Sequence, residues 1–260
     1  MEQSSLQAGW AYGCHGNHYD HCVTRTNEFG QLIGDDLLGW QEPVRPSRVP
    51  LQGARVDLVP LDPGDHAAEL FEAFAPASTS LWTYMSFGPF SDVHELSRIL
   101  DGLNTLDGWL PYAVVVSGVA VGLASYLRID PPNGVLEIGS LAFSPGLQKT
   151  SAATEALYLM INHCFELGYR RCEWKCDHLN APSHAAARRL GFQFEGVFRQ
   201  ATHYKSRNRD TAWYAIIDRD WPLLRASFQA WLSAENFDEL GEQLRSLQSF
   251  RPVEKDQPWS

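Results

Sequence analysis

The chain has no apolar run approaching the roughly 18 residues of a membrane span, and its first residues, Met1-Glu2-Gln3-Ser4-Ser5, are acidic and polar rather than leader-like. Neither a membrane partner nor export is expected. Positive charge is scarce: 21 Lys and Arg stand against 31 Asp and Glu, a formal net charge of −10. Phosphate neutralisation dominates affinity for DNA and RNA, so nucleic acid is not an expected partner. An acidic surface suits a cationic partner such as an amine, but does not select one. Cysteine is sparse and odd in number, at Cys14, Cys22, Cys164, Cys172 and Cys176. An odd set without a leader argues for a reducing, cytoplasmic compartment. There is no internal repeat and no low-complexity tract.

The 260 residues are 44% hydrophobic, enough for one large core or one core with an appendage. Residues 1 to about 50 are rich in Gly, Pro, His and aromatics without a period, and read as an irregular arm. Arg55 to Pro60 alternates as a first strand, and His66 to Phe74 has a helical apolar face. The aromatic stretch Leu81 to Phe90 is broken by Gly88-Pro89 and reads as a loop. Ser91 then caps a helix over Asp92 to Asn104. Pro111 to Val116 and Ala120 to Ile129 form a hairpin around Ser117-Gly118, and Val135 to Phe143 adds a third antiparallel neighbour. Ala153, Ala156, Leu157, Met160, Ile161 and Cys164 repeat at helical spacing over Ala152 to Leu167, closed by Gly168. Arg170 to Cys176 is a strand, Ala181 to Leu190 a helix, and strands begin near Phe192 and Thr211. A tail from Trp221 carries one or two amphipathic helices whose apolar faces need the core or a second subunit.

Two loops carry most of the functional information. Ser144 to Ala153 and Asn180-Ala181-Pro182-Ser183 each follow a strand and open a helix. Fresh helix N-termini expose backbone N–H groups, which bind anions well, so a phosphate-bearing ligand is expected.

The element order resembles the GNAT N-acetyltransferase superfamily, and more closely its RimJ/RimL-type branch, over roughly residues 54 to 218. The superfamily's acetyl-CoA loop, Gln/Arg-x-x-Gly-x-Gly/Ala, stands as Gln148-Lys149-Thr150-Ser151-Ala152-Ala153, with Ser151 in place of the first glycine. Ser151 adds a hydroxymethyl group where glycine allows close approach, and would cap the helix or bond a phosphate oxygen. The branch pattern continues in Glu137-Ile138-Gly139, Asn180, Ser183, Gly191-Phe192, Glu195-Gly196, Arg199 and Asp210 before Trp213-Tyr214.

The resemblance implies an α+β, α/β/α-layered fold. Its mostly antiparallel sheet would splay between the fourth and fifth strands. Residues 1–53 would be an extension, 54–218 the acetyltransferase domain and 219–260 a helical tail, in a monomer or homodimer. It implies an acyltransferase moving acetyl from acetyl-CoA to a primary amine, a protein N-terminus or a small molecule, by direct attack in a ternary complex. Gln148 to Ala153 would hold the pyrophosphate, and backbone near Leu141, Ala142 and Phe143 the pantetheine arm and thioester. Asn180 would bond pantetheine, or else cap its helix. Glu137 is the leading candidate base, with Asp177 and Asp92 as alternatives. A tyrosine expected four residues before Gly191 is Ala187 here, so Ser183 is the candidate acid, or else a capping hydroxyl. Trp82, Tyr84 and Phe90 would line the acceptor pocket or pack in the core.

Other readings compete. Cys14-His15-Gly16-Asn17-His18-Tyr19-Asp20-His21-Cys22 offers metal ligands at no recognisable spacing, and no metal is expected. Cys164 beside His163, and Cys176 before Asp177-His178, would be nucleophiles if their neighbours faced them. Ser151 and the missing tyrosine also fit a degenerate acyl-CoA-binding sensor or interaction module.

Overall fold

The computed structural model describes residues 25–77 and 79–251. Within residues 25–41, β1 (Arg25–Thr26) and β2 (Leu32–Ile33) pair as a small antiparallel hairpin, and the Asn27 side chain accepts the Phe29 and Gln31 N–H groups in its turn. The Cys/His-rich segment 14–22 lies outside the described residues.

From residue 42 onward the chain builds one eight-stranded sheet between helices. The elements are β3 (Leu51–Gln52), β4 (Asp57–Pro60), α1 (Pro63–Phe74), α2 (Val93–Thr105), β5 (Leu110–Val116), β6 (Val119–Asp130) and β7 (Val135–Phe143), then α3 (Ser151–Glu166), β8 (Arg171–Asp177), α4 (Ala181–Leu190), β9 (Gln193–Tyr204), β10 (Arg207–Ile217) and α5 (Trp221–Leu232). The strand order is β3-β4-β5-β6-β7-β8-β10-β9, antiparallel throughout except for the parallel β7–β8 pair. This is the expected α+β fold, and β7 and β8 are the fourth and fifth strands counted from Arg55. The sheet also takes in Leu51–Gln52, a strand not anticipated, which turns at Gly53 to pair with β4.

The helices start where short polar side chains can satisfy their first N–H groups. Asp62 caps α1 by accepting from Gly64. Asp92, not Ser91, caps α2: its carboxylate accepts from Glu95 N while Glu95 reaches back to Ser91 N, a reciprocal box. The helix therefore begins at Val93.

Alternation divides the sheet into two faces. Tyr112, Val114, Tyr126, Leu136, Ile138, Cys172 and Trp174 join α3, α4 and α5 in one core. Ala113, Ala120, Leu123 and Ala142 meet α1 and α2 in another. Ser140, at φ 50, interrupts β7 with a bulge, so Ile138 faces α3 but Ala142 faces the opposite helices. The C-terminal tail packs on the α3 side, with Phe165 stacked on Trp221 at 5.2 Å and Tyr158 against Phe228 at 5.4 Å. Short 3-10 turns at Ala234–Asn236 and Leu247–Phe250 follow α5 and cover its flank.

Candidate functional site

β7 and β8 pair only from Val135↔Arg171 to Glu137↔Glu173. Beyond that point β7 turns away at the Ser140 bulge, while β8 stays with β10 as far as Asp177↔Thr211. The two strands therefore part like a V whose vertex is Glu137. Main-chain groups on facing strand edges need partners, and such an opening accepts an extended chain.

One arm of the V runs into the loop Ser144–Thr150. Ser144 O accepts from Leu147 N and Gln148 N, folding the loop tightly, and Lys149 adopts a left-handed φ of 63. Thr150 is the N-cap of α3, its hydroxyl accepting from Ala153 N at 3.1 Å. The helix accordingly starts at Ser151, and the capping role considered for Ser151 belongs to Thr150. The N–H groups of Lys149, Ser151 and Ala152 donate to no acceptor among the described residues. Three free donors at the N-terminus of a 16-residue helix fit a pyrophosphate. The Gln148 side chain points elsewhere: its Nε2 donates to Phe143 O at 2.8 Å, closing the end of β7. Leu141 and Phe143 turn their side chains to the α3 core and Ala142 to the α1–α2 core, leaving only their main chain to address the V.

At the vertex lies a cluster of charges on the sheet face opposite α3. Glu137 Oε2 accepts from Lys175 Nζ at 2.7 Å. Lys175 Nζ is also 3.6 Å from Glu173 Oε2 and 3.9 Å from the centre of the Trp213 ring. Arg128 approaches Glu137 Oε2 at 3.9 Å and Glu173 Oε2 at 3.5 Å, with its guanidinium 5.0 Å from the same indole. Arg171 bonds Glu173 at 2.9 Å and forks onto Glu195. Burial pushes the Glu137 carboxyl above its ordinary range, and Lys175 opposes that rise. Burial likewise lowers Lys175, with Glu137 opposing. Glu137 Oε1 accepts no hydrogen bond among the described residues. A Cβ at Gly139 would stand 3.2 Å from Oε1 and 2.7 Å from Leu127 Cδ1, so glycine there keeps this oxygen uncovered.

The other expected residues fall unevenly around the V. Asn180 is the N-cap of α4: Oδ1 accepts from Ser183 N at 3.2 Å, which leaves only its amide N–H₂ to address pantetheine. Ser183 Oγ accepts from Trp174 Nε1 at 3.0 Å and lies against the Cys176 thiol, over the β8 arm. Ala187 is fully buried against the α3-side core. Asp177 accepts from Tyr204 Oη at 2.7 Å and Leu179 N at 2.8 Å. The helix-capping bond to Glu95 N holds Asp92 below the ordinary carboxylate range, a poor base.

Of Trp82, Tyr84 and Phe90, expected to line a pocket or pack in the core, Trp82 takes the core place and the other two stay partly exposed. Trp82 is buried against Phe74 at 5.1 Å and Phe90 at 4.9 Å, a core cluster under α1 and α2. Tyr84 alone of the three reaches across, donating from Oη to Leu179 O at 3.0 Å. The turn of the β9–β10 hairpin completes this side. Lys205 Nζ donates to Trp82 O at 2.8 Å, Phe87 O at 3.3 Å and Gly88 O at 2.8 Å, and Arg207 donates to Thr83 O at 2.7 Å. Sequence reasoning missed this hairpin strap and the partners of Glu137. A signal for the latter existed, since Arg171, Glu173, Lys175 and Asp177 alternate along one strand.

The cysteine readings lose their chemistry. Burial raises Cys164 well above the ordinary thiol range and raises Cys176 too, which favours the inert thiol. Among the described residues no three His, Cys, Asp or Glu side chains gather as a metal site.

The family model for an Acetyltransferase (GNAT) domain matches residues 55–193. A GCN5-related N-acetyltransferase from Brucella melitensis is 42% identical, covers 83% of this chain and 99% of its own, and superposes with a TM-score of 0.80. An uncharacterized N-acetyltransferase, p20 of Bacillus licheniformis, is 28% identical over 146 residues, 53% of this chain and 80% of that protein. A Salmonella typhimurium acetyl transferase that modifies the N-terminal serine of ribosomal protein L7/L12 is 22% identical, covers 65% of this chain and 99% of its own, and has a TM-score of 0.57, a likeness of fold.

Proposed function

The chain belongs to the GNAT acetyltransferase family, and from that premise we propose that it transfers acetyl from acetyl-CoA to a primary amine, a peptide N-terminus in the first instance. The observation that carries this reading is the V between β7 and β8, which opens beside the free N–H groups that begin α3. When bound, acetyl-CoA supplies an activated acetyl thioester that a neutral amine can attack, forming the amide and releasing the thiol. The chain's own residues do the rest. Lys149, Ser151 and Ala152 hold the pyrophosphate through main-chain N–H groups, and the main chain of Leu141 to Phe143 orients the arm that follows. A RimL ribosomal L7/L12 alpha-N-protein acetyltransferase of the same fold has been solved with coenzyme A, which supports a coenzyme A thioester as the acetyl donor.

A peptide α-amino group has a pKa of about 8 and must lose a proton before attack, at a cost of about 1 kcal/mol at neutral pH. Glu137 receives that proton at Oε1, the oxygen Gly139 leaves open. Ser183, on the opposite arm, donates its hydroxyl proton toward the departing sulfur in this reading, its oxygen already accepting from Trp174 Nε1. A thiol of ordinary pKa ~8.5 leaves readily, so this contribution is modest. The formal net charge of −10 suits a cationic acceptor, and the action of the Salmonella relative on an N-terminal serine favours a peptide terminus.

The test is acetyl-CoA turnover by the full chain with a short peptide bearing a free N-terminal serine, read by thiol release and by the mass of the peptide. Acetylation at the terminus, and none on the same peptide with a blocked terminus, is expected. Acetyl-CoA binding without turnover on peptides or small amines would replace this reading with the degenerate acyl-CoA sensor.

A further inference from the structure

Glu137 sits at the vertex with one oxygen bound and one open, and the bond to the first comes from a residue on the neighbouring strand. Lys175 lies on β8 two positions beyond the last β7–β8 pair, on the same face as Glu137. Its ammonium is buried between the Glu137 carboxylate at 2.7 Å and the Trp213 indole at 3.9 Å. The indole is fixed in turn by β10, where Trp213 is directly opposite Lys175, and by Phe198 at 4.8 Å. We propose that Lys175 is a positioning residue for acetyl transfer: seated on Trp213, it holds Glu137 by Oε2 so that Oε1 faces the acceptor amine. The proposal rests on the reading of Glu137 as the base.

Two physical consequences follow. A carboxylate free to rotate at a strand edge would present either oxygen, or fold onto Arg128; a short charge-assisted bond to one oxygen selects one orientation. The same ammonium keeps a buried carboxylate ionised, because an opposite charge at such distance offsets desolvation. The charged groups facing Glu137 are Lys175 and Glu173 from β8 and Arg128 from β6, so with Glu137 itself the cluster holds two acids and two bases. Removing Lys175 leaves two acids against Arg128, whose Nε is 3.9 Å from Glu137 and whose side chain is half exposed.

The experiment follows the Glu137 carboxyl by carbon-13 NMR in glutamate-labelled full-length protein, assigned with Glu137→Gln, alongside the pH profile of transfer to the serine peptide. Lys175→Met is expected to move the carboxyl titration up by about one pH unit or more. The acid limb of kcat/KM should move with it, while Lys175→Arg leaves both near their original positions. A uniform loss of rate with an unmoved titration would make Lys175 merely structural and overturn the proposal. Thermal unfolding of Lys175→Met and of the Glu137→Gln/Lys175→Met pair separates this from misfolding, since the double variant leaves no buried unpaired charge at this pair. One check needs no substitution at Lys175: in the unaltered chain its side-chain nitrogen signal should shift as Glu137 titrates, and independent titrations would also overturn the proposal. Glu137→Gln that keeps both its rate and its acid limb would instead end the reading of Glu137 as base, whatever Lys175 does.

Discussion

A buried base must stay ionised without being smothered, and at residue scale the proposed base Glu137 and its neighbour Gly139 bear on those two demands together. Glu137 must be unprotonated to accept a proton, so activity is present above its pKa and lost as pH falls through it. Burial has raised that pKa, so kcat/KM should break above the usual carboxylate range. Glu137→Gln should abolish the break and lower kcat by about 100-fold or more. Gly139→Ala tests the open oxygen. Its Cβ would meet Leu127 Cδ1 at 2.7 Å, the end of a flexible side chain, and Glu137 Oε1 at 3.2 Å. Acetyl-CoA affinity should hold while kcat falls by about tenfold or more, because the reacting groups are misplaced rather than removed. Equal loss of binding and turnover would speak against this role. The Glu-Ile-Gly run was visible in the sequence, but its reason was not. The glycine is explained by a carboxyl oxygen two residues away, and the carboxyl is fixed by Lys175, 38 positions along the chain.

At the scale of elements, the opening of α3 is the proposed pyrophosphate site. Thr150→Ala removes the cap and should cost about 1 kcal/mol of stability. It should also weaken acetyl-CoA binding, measured by titration calorimetry, since the neighbouring N–H groups lose their orientation. Ser151→Ala should change stability little, because the Ser151 hydroxyl makes no described bond. The hairpin strap belongs to this scale too. Lys205→Met removes three bonds to the α1–α2 loop and should speed amide exchange across residues 82–88. Unchanged exchange there would mean the strap does not hold the loop.

Element order and most helix limits were legible because α3 carries regular apolar spacing closed by Gly168, and α4 has Pro182 in its first turn and Gly191 just past its end. β9 was not, beyond its first residues. It is a sheet edge with most of its 12 residues exposed, so no apolar alternation advertises it. Trp82 was ambiguous for the opposite reason: an aromatic-rich loop reads alike whether it lines a pocket or fills a core.

At the scale of the molecule, the tail from Trp221 completes the core on the α3 side. Trp231 is buried, and its Nε1 donates to Gln243 at 2.8 Å. Trp231→Ala should cost about 3–5 kcal/mol, read by denaturant unfolding. A near-neutral result would mean the tail is an accessory to a core that stands without it. No helix among the described residues is long and apolar enough to cross a membrane.

The V and the start of α3 are proposed to form an acetyl-CoA site despite serine at position 151. Thermal unfolding with and without saturating acetyl-CoA tests it most directly. Ligand at about 100 times Kd adds roughly 2.7 kcal/mol to stability. In a chain of this length the account predicts a rise of several degrees in the midpoint, diminished at equal ligand in Thr150→Ala. An unmoved midpoint in well-folded protein would contradict it.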